Sequence, residues 1–312
     1  MSEQEPEAVV TATEKFGTVA LVGRPNAGKS TLMNRWLEEK LAIVSDKPQT
    51  TRHRLMGILT EPRGQVVFYD TPGIHKPQHK MNRRMLKSAR EALSDADVVC
   101  LIHDVSQAFG TGDKYLLEWV SEVDTPRLAL LNKVDLVRDK TKLLPRIEIF
   151  AQTGAFAEII PISASTGDGA GRALDAVFAR LEPGPPLYDP ELLTVHPERF
   201  LVCERIREKV LEQTRDELPF STAVVIDAWI EEPGSDLVRI CASILAERPG
   251  QKKILVGAGG QQIKAIGIAA RQDLEAYLEK RVFLELNVRV ERDWRENERI
   301  LSELDRAPFG VG

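Results

Sequence analysis

Between Phe16 and Leu181 the chain alternates short apolar runs with segments whose apolar residues recur every three or four positions. The runs TVALVG, QVVFYD, DVVCLIHD, RLALLNK and EIIPISA are strand-sized, while STLMNRWLEE, GDKYLLEWVSEV, KLLPRIEIFAQ and GRALDAVFARL carry helical spacing. That alternation predicts an α/β domain, a mostly parallel sheet flanked by helices. EPGPPLYDP, Glu182 to Pro190, then sets four prolines and a glycine within nine residues and predicts a stiff, extended linker. Beyond it the order changes. FLVCERIREKVLEQTRD reads as a helix, FSTAVVIDAWIEE and LVRICASILAE as two strands joined by PGSD, QIKAIGIAARQDLEAYLEK as a second helix and VFLELNVRVERDW as a third strand. This predicts an α+β unit with helices on one face of a three-stranded sheet. The expected boundaries are a flexible N-terminal tail over 1–14, a first domain over 15–183, a linker over 184–200, a second domain over 201–300 with its core at 214–291, and a tail over 301–312.

Composition narrows the classes. A chain of 312 residues exceeds the usual single domain, so two cores are expected. With 43% hydrophobic and 29% charged residues it fits a soluble globular protein. The longest apolar stretches, Val98–Ile102 and Leu128–Leu131, are too short to span a bilayer, and the acidic start MSEQEPEAVVTATEKFG lacks the order of a secretory signal. A cytoplasmic protein is expected, and any visit to the inner membrane would be peripheral. Cys100, Cys203 and Cys241 lie far apart in apolar surroundings, and their spacing suits neither a zinc site nor a disulfide framework. The net charge of -5 argues against a globally basic nucleic-acid binder, so charge has to be examined locally.

Gly23 to Ser30 reads GRPNAGKS, a match to G-x-x-x-x-G-K-[ST] with a predicted strand before it and a helix after. The glycines let backbone N–H groups turn inward around a phosphate, and the helix adds the positive end of its dipole. Lys29 would reach the β- and γ-phosphates, and Ser30 would place its hydroxyl on Mg2+. NKVD, Asn132 to Asp135, follows the strand RLALL and selects the base. A buried Asp135 can accept from guanine N1–H and the 2-amino group, while adenine would leave it unpaired. Asn132 would tie this segment back to the phosphate loop and the Lys133 stem would cover the base. ISA, Ile162 to Ala164, would bring backbone N–H groups to guanine O6. DTPG, Asp70 to Gly73, follows QVVFYD: Asp70 would hold Mg2+ and the Gly73 N–H would meet the γ-phosphate. Upstream, Gln49, Thr50, Thr51, Arg52 and His53 form a polar stretch where a threonine hydroxyl completes the metal shell when GTP is bound. The residues leave Thr50 and Thr51 both open to that role. Both segments would be ordered by the γ-phosphate and released after hydrolysis.

GRPNAGKS, QTTRH, DTPG, NKVD and ISA together resemble the translation-factor-related branch of the P-loop GTPases, and specifically the Era family of bacterial ribosome-assembly GTPases. The resemblance implies a slow GTPase with GTP or GDP contacts from Gly23, Arg24, Pro25, Asn26, Ala27, Gly28, Lys29, Ser30 and Thr31, from Asp70, Thr71, Pro72, Gly73 and Ile74, from Asn132, Lys133, Val134 and Asp135, and from Ser163 and Ala164. Lys29 and Thr51 are the catalytic candidates, and Ser30, Thr51 and Asp70 the metal ligands. Where many small GTPases carry a water-orienting glutamine after DTPG-type sequence, this chain has Ile74, which implies slow intrinsic turnover or catalysis by another element. His75 is a candidate for orienting water, against a plain solvated histidine. Asn26 either caps the loop or, as in related GTPases, helps hold K+ beside the phosphates.

In the second domain, Arg248 to Arg271 contains five basic residues and no acidic one, while Leu201 to the C-terminus holds 17 basic and 20 acidic. In its middle, Gly257-Ala258-Gly259-Gly260 joins the short apolar run ILV to the helix QQIKAIG. A G-x-x-G turn opening a helix lets an RNA backbone approach helix N-terminal N–H groups, with bases on an apolar groove beside it. With ELPFS, ERPGQKK and RVFLELNVRVERDWREN around it, this unit resembles the KH domain of Era in the type-two arrangement. Lys252, Lys253, Gly257, Ala258, Gly259, Gly260 and Lys264 are the RNA-binding candidates. The family usually has a lysine within the two variable loop positions, so Ala258 and Gly259 remove one phosphate contact. A second basic cluster, His75, Lys76, Lys80, Arg83, Arg84, Lys87 and Arg90, is either a solvated helix face or a further ribosomal RNA surface.

The resemblance implies the 3′ end of small-subunit ribosomal RNA and the pre-ribosomal small subunit as partners of a monomeric protein. The alternatives are an Era-like GTPase acting on another RNA, and an RNA-binding adaptor with negligible turnover.

Overall fold

The computed structural model describes residues 14–47, 49–74, 79–215 and 218–306. The tail over 1–13, His75 and Lys76 of the basic cluster and Glu217 of ELPFS lie outside the described residues.

The first sheet contains β1 (Lys15–Gly23), β2 (Leu55–Glu61), β3 (Gly64–Asp70), β4 (Val98–Asp104), β5 (Arg127–Asn132), β6 (Glu158–Pro161) and β7 (Glu182–Pro183). Its order is β2-β3-β1-β4-β5-β6, with β7 antiparallel to β1. β1 runs parallel to β3 and β4, as do β4 to β5 and β5 to β6. β2 also departs from the parallel arrangement, because Pro62-Arg63 joins it to β3 by a turn too short for a parallel crossover. Helices α1 (Lys29–Leu37), α2 (Lys80–Ser94), α3 (Thr111–Ser121), α4 (Leu144–Gln152) and α5 (Ala170–Phe178) complete the α/β pattern. Strands buried on both faces read as continuous apolar runs, and Val19–Val22 and Val98–Ile102 are fully or almost fully buried. Trp36 of α1 stacks on Phe68 of β3 and donates its indole N–H to the Ala170 carbonyl.

The proline-rich stretch is docked on this sheet. Glu182 and Pro183 pair with β1, and Gln65 of β3 binds the backbone of Leu187 and Tyr188. The helix that follows, α6 (Glu198–Gln213), begins inside the span expected to be linker.

The second sheet has β8 (Ala223–Glu231), β9 (Leu237–Ala246) and β10 (Arg281–Val290), in the order β10-β9-β8, with β9 antiparallel to β8 and parallel to β10. A bulge at Asp227 shifts the β8 register. Between α6 and β8 lies one short turn of helix, α7 (Leu218–Ser221). ILV is not an isolated apolar run. It ends a further helix, α8 (Pro249–Val256), started by Pro249 at its first turn and by Gln251, whose amide oxygen accepts the Glu247 and Arg248 N–H groups. α9 (Gln261–Leu278) follows, and α10 (Glu298–Arg306) extends regular structure past residue 300 into the expected tail. Val202, Ile206, Ile240, Ile244, Leu255, Ile266 and Leu274 share one core from α6, α8, α9 and the sheet.

In place of two contiguous blocks, the packing interleaves. One compact unit comprises 1–40, 56–74 and 89–195, and the other 41–55, 75–88 and 196–312. The second unit therefore includes the QTTRH segment and the start of α2, where Met81 and Met85 join Ala223, Leu245, Trp294 and Leu301. No described helix is long and apolar enough to cross a membrane.

Trp294 is fully buried and donates its indole N–H to the Ser221 carbonyl at 2.9 Å. Trp294→Ala is expected to cost about 3–5 kcal/mol, through cavity formation and an orphaned carbonyl. A urea unfolding curve checks this by the drop in its midpoint.

Candidate guanine-nucleotide and RNA sites

The phosphate loop leaves the carboxyl end of β1, at the point where the chain turns first toward β3 and later toward β4, the place where open α/β sheets bind ligands. Gly28 caps α1 with φ +97°, and a Cβ there would lie 2.2 Å from the Asn132 amide nitrogen. Asn26 takes φ +62° and is exposed. Lys29 is 5% exposed, and its ammonium donates to the Arg24 carbonyl at 3.2 Å. Burial pushes the Lys29 ammonium below the ordinary lysine range, against the pull of Asp70. A phosphate would supply the negative charge this cation lacks.

DTPG is clamped beside the loop. The Thr71 hydroxyl donates to the Leu21 carbonyl at 2.7 Å, and the Ile74 N–H to the Gly23 carbonyl at 3.1 Å. Gly73 lies so close that a Cβ would come within 2.6 Å of Pro25 N, so only glycine fits. Ser30 donates its hydroxyl to the buried Asp70 carboxylate at 2.6 Å. Two hard oxygen donors thus meet beside Lys29, a donor set that suits Mg2+. Ile74 is 2% exposed and apolar, so it cannot orient a water.

Asn132 ties three segments together. Its amide N–H donates to the Ala27 carbonyl at 2.7 Å, and its amide oxygen accepts the Ala164 N–H at 2.9 Å. Lys133, at φ +68°, reaches Asp104 at 2.7 Å, so Asp104 at the end of β4 fixes the stem expected to cover the base. Two expectations change here. Asp135 is exposed rather than buried, because it sits on a single turn of 3-10 helix at the sheet's rim; it would be desolvated only by the base itself. The N–H groups of Ser163 and Ala164 are already taken, by the Asp168 carbonyl and by Asn132, so neither amide is open to guanine O6.

The QTTRH segment is not a solvated loop. Within the second unit the Arg52 guanidinium donates to the Thr222 carbonyl at 2.6 Å and lies 5.6 Å from the Trp294 ring centroid. Burial, then Arg207 and Arg295, bring Arg52 down to about 9 against Glu204. Arg207 donates to the Thr50 carbonyl, and His53 meets Phe200 edge-on. The Thr50 hydroxyl donates to the Lys47 carbonyl at 2.6 Å. Ser30 and Asp70 are brought together in one unit, while Thr51 belongs to the other.

The G-x-x-G turn links α8 to α9 with φ +73° at Gly257, +58° at Gly259 and +80° at Gly260. A Cβ at Gly259 or Gly260 would meet nothing within 4 Å, so this face is open to close approach. Lys252, Lys253, Ala258 and Lys264 are exposed around it. Beside it runs a groove of about 290 Å³ lined by Ile263, Lys264, Gly267, Ile268, Arg271, Leu284 and Leu286. Sequence reading missed the groove residues other than Lys264; the exposed Ile268 of α9, an apolar residue off the helix's buried stripe, is the signal that points to them. Part of the second basic cluster is engaged within the protein: Lys80 and Arg84 pair with Glu298, and Arg90 lies 4.3 Å over Trp119, while Arg83 and Lys87 are exposed.

Asn132→Ala would strip partners from a buried carbonyl and a buried N–H, about 2 kcal/mol of loop support, so roughly 30-fold weaker GDP binding is expected by equilibrium titration.

A family model described as 50S ribosome-binding GTPase matches residues 18–133, and a KH domain model matches 217–295. The chain is 47% identical over 295 residues to GTPase Era of Leuconostoc citreum, covering 94% of this chain and 97% of that one. It is 45% identical over 290 residues to GTPase Era of Geobacter metallireducens, covering 93% and 97%. Among solved structures, an Aquifex aeolicus Era variant bound to GDP and aluminium fluoride superposes with a TM-score of 0.89 at 35% identity, covering 94% of this chain and 98% of that one. Era in complex with MgGDPNP and nucleotides 1506–1542 of 16S ribosomal RNA gives the same TM-score and identity, covering 95% and 98%. The similarity runs along nearly the whole chain, through the GTPase and KH matches alike, and the chain belongs to the Era family of GTPases, binds guanine nucleotide and hydrolyses GTP.

Proposed function

We propose that this GTPase binds the 3′ end of small-subunit ribosomal RNA through its KH unit and acts in assembly and maturation of the small ribosomal subunit in the cytoplasm. The observation that carries the reading is the groove beside the G-x-x-G turn. Its apolar wall of Ile263, Ile268, Leu284 and Leu286 suits unstacked bases, and Lys264 and Arg271 suit their phosphates. The Era protein solved with nucleotides 1506–1542 of 16S ribosomal RNA supports the choice of RNA.

GTP lies with its phosphates on Gly23–Thr31 and the DTPG segment and its base against Asn132–Asp135 and Ala164. Water attacks the γ-phosphorus in line, and Lys29 with the loop N–H groups stabilises the charge that develops. Ser30 and Asp70 would hold Mg2+, which supplies charge neutralisation on the phosphates when bound. Asn26, exposed in the loop, would help to hold K+ beside the phosphates. Because Ile74 is buried and apolar, turnover is slow without potassium or RNA. We propose no membrane role.

Cross-linking the chain to total cellular RNA and sequencing the adducts should give reads concentrated at the small-subunit RNA 3′ end; a majority on transfer or large-subunit RNA sinks the assignment. Asp135→Asn should shift preference from GTP toward xanthosine triphosphate, read by competition binding. Unchanged GTP affinity would show that another group reads the base.

A further inference from the structure

A buried carboxylate outside the phosphate loop reaches it from a separate element. Asp113, in the first turn of α3, is 4% exposed. One oxygen accepts the Arg24 guanidinium at 3.1 Å and the Gly110 N–H at 2.9 Å, while the other faces His103 Nδ1 at 3.2 Å. His103 sits against the rings of Phe109 and Phe150, and its Nε2 has no hydrogen-bond partner. Burial holds this imidazole below the ordinary histidine range, with Asp113 pulling the other way. A neutral His103 leaves Arg24 as the counter-cation of a carboxylate that could not stay buried alone. The guanidinium lies over Gly112, where a Cβ would come 3.0 Å from Arg24 Nε.

Arg24 is also part of the loop itself. Its carbonyl accepts the Lys29 ammonium at 3.2 Å and the Ala27 N–H at 3.3 Å. The side chain is therefore bound to α3 while the backbone of the same residue holds the loop's cation. We propose that Asp113 is a positioning residue for GTP binding and hydrolysis, fixing through Arg24 the start of the phosphate loop and hence Lys29. The inference rests on the reading that Gly23–Ser30 holds the phosphates.

GDP release and kcat/KM of the full chain test it. Arg24→Ala and Asp113→Asn should each speed GDP release and lower kcat/KM roughly ten-fold, the scale of one charge-assisted hydrogen bond. The double variant should be no worse than either single one, and Arg24→Lys should stay within about two-fold of the parent. If Asp113 only starts α3, Arg24→Ala leaves GDP release unchanged or the two effects multiply; either result overturns the proposal. Should Asp113→Asn fail to fold, the Arg24 pair still decides, because that side chain is 46% exposed. Lys29→Ala, measured alongside, should lose GDP binding; retained binding would overturn the phosphate-loop reading and this inference with it.

Discussion

A buried cation demands negative charge, and Lys29 imposes that demand on the first unit. Burial disfavours its ammonium, only Asp70 opposes that cost, and the Asp70 carboxylate already accepts the Ser30 hydroxyl. The surrounding design holds this poised charge in place. Thr71 and Ile74 lock DTPG to β1 and the loop, and Asn132 locks the loop to NKVD and Ala164. The sheet order lets all of these segments emerge at one edge, so residues more than 100 apart in sequence meet there, with Asn26, Gly28 and Lys133 in the left-handed region.

The second unit handles positive charge in two opposite ways. Along α2, Lys80 and Arg84 pair with Glu298. Around the G-x-x-G turn, Lys252, Lys253 and Lys264 stay exposed beside an apolar groove, in a stretch with no acid of its own. A run of basic residues thus supports structure in one place and leaves an exposed cationic face in the other. The difference lies in where the acids of α10 fall in space.

That contrast explains what the sequence could and could not say. GRPNAGKS, DTPG and NKVD are legible because each is contiguous and each chemical role depends on a strand before it and a turn or helix after it. The KH unit was legible in element order, since its strands and helices keep their own periodicities. The pairing of Lys80 and Arg84 was not, because their partners come some 200 residues later. Nor was the membership of residues 41–55 in the second unit, which depends on Arg52 reaching Thr222 and Arg207 reaching Thr50. A buried Asp135 was expected from its role, whereas its rim position leaves it exposed; and ILV, three apolar residues, carries too little pattern to distinguish a helix end from a loop.

The proposal that this GTPase binds small-subunit ribosomal RNA, with its nucleotide state setting the affinity, is tested most directly by equilibrium binding of a 3′-terminal small-subunit ribosomal RNA fragment to the full chain. The chain would be loaded either with GDP or with a non-hydrolysable GTP analogue. The account predicts at least roughly ten-fold tighter binding in the GTP-analogue state, with a scrambled fragment bound weakly in both. Equal affinity in the two states, or no preference over the scrambled RNA, would contradict it.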